Sequence, residues 1–308
     1  MRELERPHPL STAVAVETVK RYLGEPRYHP RLCDLIHKET EQVYHELKSE
    51  RFGTQVPKPT KELFRKRMRG YEAVVERLTE MLVTLSYHDE VKNAHLLTRC
   101  IERLVQFPRG RRSSSLVDLQ FYPALLITYA AGIGAVAAKH FRHLAAILRT
   151  PQYYDQLYRE RRPAINELHV SSVFAGGADN WVPYEDAEGI RTPANNYLFD
   201  LLRPMLHDYL PDDIRFEETF DTFEYLLALT YMDLMRETGA PIGRFTWRYK
   251  YRETWERSPL AEFARVELEK GMDGELLRAG FFGGSVDRFK EIVQTHRGRL
   301  QEVTRGWR

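Results

Sequence analysis

The chain has 308 residues, 43% of them hydrophobic and 29% charged, with 46 basic side chains against 44 acidic ones and a formal net charge of +2. Such a length supports a core that needs no disulfide or metal staple, and so balanced a charge excludes a global field for nucleic acid and leaves that role to local patches. Cys33 and Cys100 stand far apart without metal-ligand spacing, which predicts two buried thiols in a reducing compartment. The opening MRELERPHPL has no apolar stretch of signal-peptide length, so a cytoplasmic location is expected.

In chain order, Ser11 and Thr12 can cap a helix over STAVAVETVKRYLG that Gly24 stops. Pro30 opens a second, RLCDLIHKETEQVYHELKSERF, with Leu32, Leu35, Ile36, Val43, Tyr44 and Leu47 along one side. Thr60 starts the long TKELFRKRMRGYEAVVERLTEMLVTLSY, where Gly70 marks a weak point or a close contact, and a fourth helix is predicted from Glu90 to Phe107. The basic, turn-forming PRGRRSSS separates an N-terminal helical region, 1–112, from a core region, 113–308, the two forming either separate units or one continuous domain.

FYPALLITYAAGIGAVAA, from Phe121 to Ala138, has no charge. Three readings compete for it. A membrane helix is disfavoured by Pro123, by Asp118 and Gln120 just before the run, and by the lack of a second span. A strand entering the glycine turn Gly132–Ala137 would match G-x-G-x-x-A, with Asp155 at ribose-binding distance, but Asp155 lies in PQYYDQLYRERR, which reads as helical and polar. The favoured reading is a central helix, apolar all round and therefore buried all round, in which Ala130, Gly132, Gly134 and Ala138 admit close neighbours.

Residues 163–196 are irregular, and Trp181 predicts that the segment is partly packed. Helices resume with YLFDLLRPMLHDYL and FEETFDTFEYLLALTYMDLMRETG, whose stripe of Phe216, Phe220, Phe223, Leu226, Leu227, Tyr231 and Leu234 is a core face. PIGRFTWRYKYRETW alternates apolar with basic residues like a half-buried strand or an extended arm. Short helices near 260–270 and 286–296 precede a basic tail. The fold class expected is mainly α, a multi-helix bundle around the buried central helix, with a small β element near 165–175 or 242–252.

Reactive motifs are sparse: HExxH, a Walker lysine, G-x-S-x-G and paired CxxC are all missing from the sequence. No cofactor and no metal site is expected, and His140 and His143, three apart beside Lys139 and Arg142, read as surface or groove histidines. Helical ribonucleases place four to six residues between an Arg and a catalytic His. Arg2 with His8, Arg31 with His37 and Arg162 with His169 fit that spacing at the frequency accident supplies. Arg31 and His37 are the candidates chosen, against a solvated arginine and a half-buried histidine. For nucleic acid or phosphate the candidates are Arg109, Arg111 and Arg112, and Arg244, Trp247, Arg248, Lys250 and Arg252, interleaved with Phe245, Tyr249 and Tyr251. The plainer and favoured alternative docks this basic segment on the acidic stretch Asp208–Glu224.

YPALLITYAAGIGAVAA, the irregular segment, YLFDLLRPMLHDYLPDD, FEETFDTFEYLLALTYMDL and PIGRFTWR together resemble a helical region of bacterial multidomain proteins that usually carry a SIR2, TIR or Schlafen-AlbA type effector and are associated with antiviral defence. The resemblance spans most of residues 16–248 and rests on structural motifs. This chain lacks a recognisable effector, so the resemblance implies a non-catalytic scaffold, sensor or regulatory subunit, acting on an effector or NTPase subunit or by self-association, with no membrane partner. A nucleic-acid-binding module and a helical ribonuclease are the alternatives.

Overall fold

The structure is a computed structural model that describes residues 11–56, 58–89, 92–106, 115–156, 158–184, 191–236 and 239–305, with backbone alone for 252, 304 and 305. Helix α1 (Thr12–Gly24) starts where the Ser11 hydroxyl accepts the Val14 N–H, and α2 (His29–Leu47) follows a 3-10 turn. Helix α3 (Lys61–His88) is capped by Thr60, which accepts the Leu63 N–H at 3.2 Å, and α4 (Ala94–Leu104) is shorter than expected. Its start is delayed because the Asp89 carboxylate holds the Asn93 N–H at 2.7 Å in a turn. Helix α5 (Ser115–Asp118) leads into the central α6 (Tyr122–Ala137), and α7 (Phe141–Leu148) comes after a left-handed break at Lys139 (φ 60°).

The antiparallel hairpin β1 (Gln152–Asp155) and β2 (Glu160–Pro163) comes next, then α8 (Val170–Val173) and α9 (Pro193–Leu206). Helix α10 (Asp213–Met235), capped by Asp212, precedes α11 (Phe245–Arg248), α12 (Arg252–Glu256), α13 (Pro259–Lys270), α14 (Glu275–Arg278) and α15 (Val286–Arg305). The mainly α architecture agrees with the sequence reading. The β element lies elsewhere. Residues 165–175 are a 3-10 turn and α8, and 242–252 contains α11 rather than a strand or arm. The hairpin occupies PQYYDQLYRERR, read from the sequence as helical, because Tyr153 and Asp155 alternate inward while Gln152 and Tyr154 face out, and Arg159 turns the chain at φ 57°.

In α6 every residue from Tyr122 to Ala135 is buried, and α3, α4, α7, α8, α9 and α10 pack around it. Two glycines allow this. A methyl group on Gly132 would stand 2.1 Å from the Phe223 ring of α10, and one on Gly134 would stand 2.9 Å from the Ser86 hydroxyl of α3. Gly132–Ala137 is thus mid-helix, not a nucleotide-binding βα turn, and Asp155 belongs to the hairpin. The stretch Ser115–Ala137 is long and apolar enough by composition to cross a membrane, and 94% of its most apolar window is buried inside the protein. One continuous apolar cluster runs from Ala15 of α1 to Ile292 of α15 and joins the two regions separated at residue 112. Trp181 packs edge-on against Phe64 at 5.6 Å, and Arg65 Nε donates to the Trp181 and Val182 carbonyls, so the irregular segment is anchored as expected.

Replacing Gly132 by Ala is expected to destabilise the fold by about 2 kcal/mol or more, since the overlap with Phe223 outweighs the roughly 1 kcal/mol that Ala adds to helix propensity. At Gly24 the same change meets nothing within 4 Å and should be neutral or stabilising; thermal or denaturant unfolding of both variants checks the contrast.

Candidate functional site

The basic segment from Arg244 to Arg252 docks onto the carboxylates of α10. Arg244 Nη2 reaches Glu217 at 3.2 Å and its Nε donates to Asn196 Oδ1 at 2.8 Å, while its guanidinium stacks on Phe199 at 3.7 Å. Arg248 Nη1 lies 2.7 Å from Asp221 and 2.9 Å from Glu217. Trp247 is half-buried under the Arg191 guanidinium, and Lys250 lies 4.8 Å from the Tyr251 ring. The internal pairing weighed from the sequence is therefore the observed arrangement, and these arginines are engaged inside the protein. Arg252 is described by its backbone alone, and Arg109, Arg111 and Arg112 lie outside the described residues.

Beneath this segment sits Glu224, 2% exposed. Its Oε1 accepts from Asn195 Nδ2 at 2.6 Å and from the Tyr129 hydroxyl at 3.2 Å, and its Oε2 accepts the Arg244 N–H at 2.7 Å. Gly243 makes the last bond possible, since a side chain there would stand 2.5 Å from Glu224 Oε2. Burial pushes the Glu224 carboxyl up to about 8 against these donors, and burial lifts Asp221 to about 6 despite the facing arginines Arg248 and Arg244. Perturbed acids mark both catalytic centres and buried structural networks. Here both oxygens of Glu224 face protein donors, and the acid ties α6, α9 and α10 to the turn before α11.

The other sequence candidates are dispersed. Arg31 and His37 are both exposed on α2, and six residues of helix turn their side chains about 120° apart. Arg31 lies against the Tyr28 ring at 5.3 Å, and His37 borders a depression with Cys33, Arg99 and Arg103. His143 is not a surface histidine: it is fully buried, with Nε2 2.9 Å from Asp89 Oδ2. His140 is half-buried, with Nδ1 3.1 Å from the Ser86 carbonyl. Among the described residues no three His, Cys, Asp or Glu side chains are grouped to hold a metal ion. Cys100 is a buried thiol and Cys33 a half-buried one, both free.

No family model, no curated protein and no solved structure matches this chain.

A locus the sequence reading passed over lies between α3 and α9. Glu72, Glu76 and Glu80 follow one another at four-residue spacing on α3 and border a groove of about 420 Å³ whose other walls include Leu126, Leu201 and Met205. Glu72 Oε1 accepts the hydroxyls of Tyr122 at 2.7 Å and Tyr197 at 2.8 Å. Burial raises the Glu72 carboxyl against those two donors; burial, then the charges of Glu76 and Asp208, raises Glu80. The acidic row was legible in the sequence as i, i+4, i+8. Its apolar wall comes from α6 and α9, more than forty residues away, and carried no signal.

Glu224 is raised above its ordinary value of 4.5, so its contribution to stability is complete below that pH and is lost as pH rises through about 8. Between pH 6.5 and 8 the loss assigned to this group is about 2 kcal/mol. Unfolding free energies across that range should fall more steeply for the native chain than for Glu224→Gln, whose amide has no proton to lose. Arg248→Ala leaves Asp221 buried without its nearest cation and should cost about 2 kcal/mol, below the figure for a fully buried pair because Arg248 is 36% exposed; chemical denaturation measures it.

Proposed function

We propose that the chain is a non-catalytic helical scaffold or sensor that works by protein assembly, as a regulatory partner of an effector or NTPase-like subunit. The observation that carries this reading is the groove between α3 and α9. Its carboxylates are crowded at i, i+4 spacing and two of them, Glu72 and Glu80, are partly desolvated, so a cation placed among them relieves repulsion, and its walls hold apolar side chains. Acidic and apolar groups in one groove suit an amphipathic basic segment of another protein. The resemblance to helical regions of defence-associated proteins supplies the class of partner, and self-association through the same groove is the second form of assembly.

The test is co-expression of the full chain with the products of its adjacent genes, followed by size-exclusion chromatography with light scattering. A stable complex with an effector or NTPase-like neighbour, weakened at least tenfold by Glu76→Lys and by Met205→Asp in variants that keep the native melting temperature, is the expected result. A complex indifferent to both substitutions overturns the groove as its seat. A chain that stays monomeric beside both neighbours overturns the assembly reading.

A further inference from the structure

The cations of this protein divide into engaged and free. Arg244 and Arg248 are held by α10, Arg103 by both oxygens of Glu41 at 2.6 Å, and Arg288 by Asp233 and Glu291. Lys48, Arg159 and Arg161 have no carboxylate partner among the described residues, and Lys48 rests its ammonium over the Tyr44 ring at 4.3 Å. These three lie at the end of α2 and on the β1–β2 hairpin, and Lys48 and Arg161 face one groove of about 500 Å³. Gln106, Gln152 and Gln156 line the same groove, and so does Tyr154. The groove's carboxylate is Glu102, whose Oε1 already accepts the Gln152 N–H at 3.1 Å. Glu160, at the β2 start, is 3.6 Å from Arg162, which also faces Asp155 at 3.7 Å.

Two exposed aromatic side chains accompany these free cations. Tyr154 is 57% exposed and Tyr158 63% exposed, among the most exposed large hydrophobic residues described. Tyr154 stands directly opposite Arg161 in the strand register, and the Arg162 guanidinium lies 5.0 Å from the Tyr158 ring. The inner face of the same hairpin is firmly fastened. Tyr153 donates to Glu167 at 2.6 Å, Asn166 adds a bond to that carboxylate at 2.8 Å, and Asp155 accepts the Tyr158 N–H at 3.2 Å. A ribbon fastened on its inner face therefore displays two exposed tyrosines outward beside arginines that lack a carboxylate partner among the described residues.

We infer that the outer face of the β1–β2 hairpin, with the adjoining groove, is a binding site for single-stranded nucleic acid. Bases stack on Tyr154 and Tyr158, and Arg159, Arg161 and Lys48 neutralise the phosphates. The glutamine amides reach base edges, which are accessible only when the bases are unpaired. A duplex would offer phosphates but neither base faces nor free edges, so the tyrosines favour a single strand. The inference goes beyond the assembly reading and does not rest on it, since α3 and α9 take no part. It also moves the nucleic-acid reading away from Arg244–Arg252, where Arg244 and Arg248 are internally paired.

Fluorescence anisotropy of the full chain with labelled oligouridylate, oligothymidylate and a duplex, over a salt series, tests the site. Saturable binding to at least one single strand, stronger than to the duplex, is expected, and the preference between the two strands identifies RNA or DNA as the ligand. Affinity should fall with salt at a log–log slope of about −2, from three phosphates at roughly −0.7 each. Tyr154→Ala should weaken binding about tenfold, as loss of one stacked base does. Arg161→Glu should weaken it and flatten the slope by about 0.7 or more. Both sites are exposed, so native circular dichroism and melting are expected, and Lys290→Glu on α15 serves as a charge-change control without effect. Absence of saturable binding at low salt, equal binding of the duplex, or native affinity in both hairpin variants would overturn the inference.

Discussion

An uncharged helix in the middle of a highly charged chain has to be covered on every side, and the contact of α6 with α3 and α10 is the constraint on which the rest of the structure depends. Gly132 receives the Phe223 ring of α10, and Gly134 receives Ser86 of α3. Two close approaches in one helix bring both long amphipathic neighbours to packing distance. An added methyl on Gly132 has no space to enter, because interiors at crystal-like density do not yield by an ångström without displacing the next layer. The positions of α9, α11 and the groove along α3 follow from how α3 and α10 are seated.

The same packing determines what the polar groups can do. Helix α10 turns its aromatic stripe toward the core and brings Asp221 and Glu224 inside with it, so both acids lose water and both are pushed upward. The chain answers with donors rather than with an open cleft: Asn195, Tyr129 and the N–H of Arg244 on Glu224, and Arg248 on Asp221. Buried acids partnered in this way hold elements together, and removing one partner exposes the cost of the other. Cations without a carboxylate partner among the described residues, Lys48, Arg159 and Arg161 among them, remain available to a ligand. Cation position in the sequence is thus a poor guide to function, whereas the carboxylates left within reach are a good one.

Much of the helical layout was legible in the sequence. Ser11 and Thr60 start their helices as caps, Gly24 ends α1, and the stripe from Phe216 to Leu227 is buried as its spacing requires. Pairing of Arg244 and Arg248 with the acidic run was also readable, because a dense block of one sign buried beside a block of the other must neutralise. The hairpin was not readable. QYYDQLYRERRP has charge and tyrosine but too short an alternation to distinguish strand from helix, and its inward positions are polar, held by Glu167 from a turn further along the chain. His143 was misread for the same reason, since its partner Asp89 lies on another element.

Local spacing and side-chain chemistry therefore determined, without help from the fold, which segments are helices, where they begin, and that one of them must lie at the centre. Only the tertiary structure decided which acids lose their water, which arginines find a carboxylate and which stay free, and which tyrosines face outward. Those properties depend on groups that are distant in the chain and adjacent in space, and desolvation and pairing act over a few ångströms of space rather than over residues of sequence.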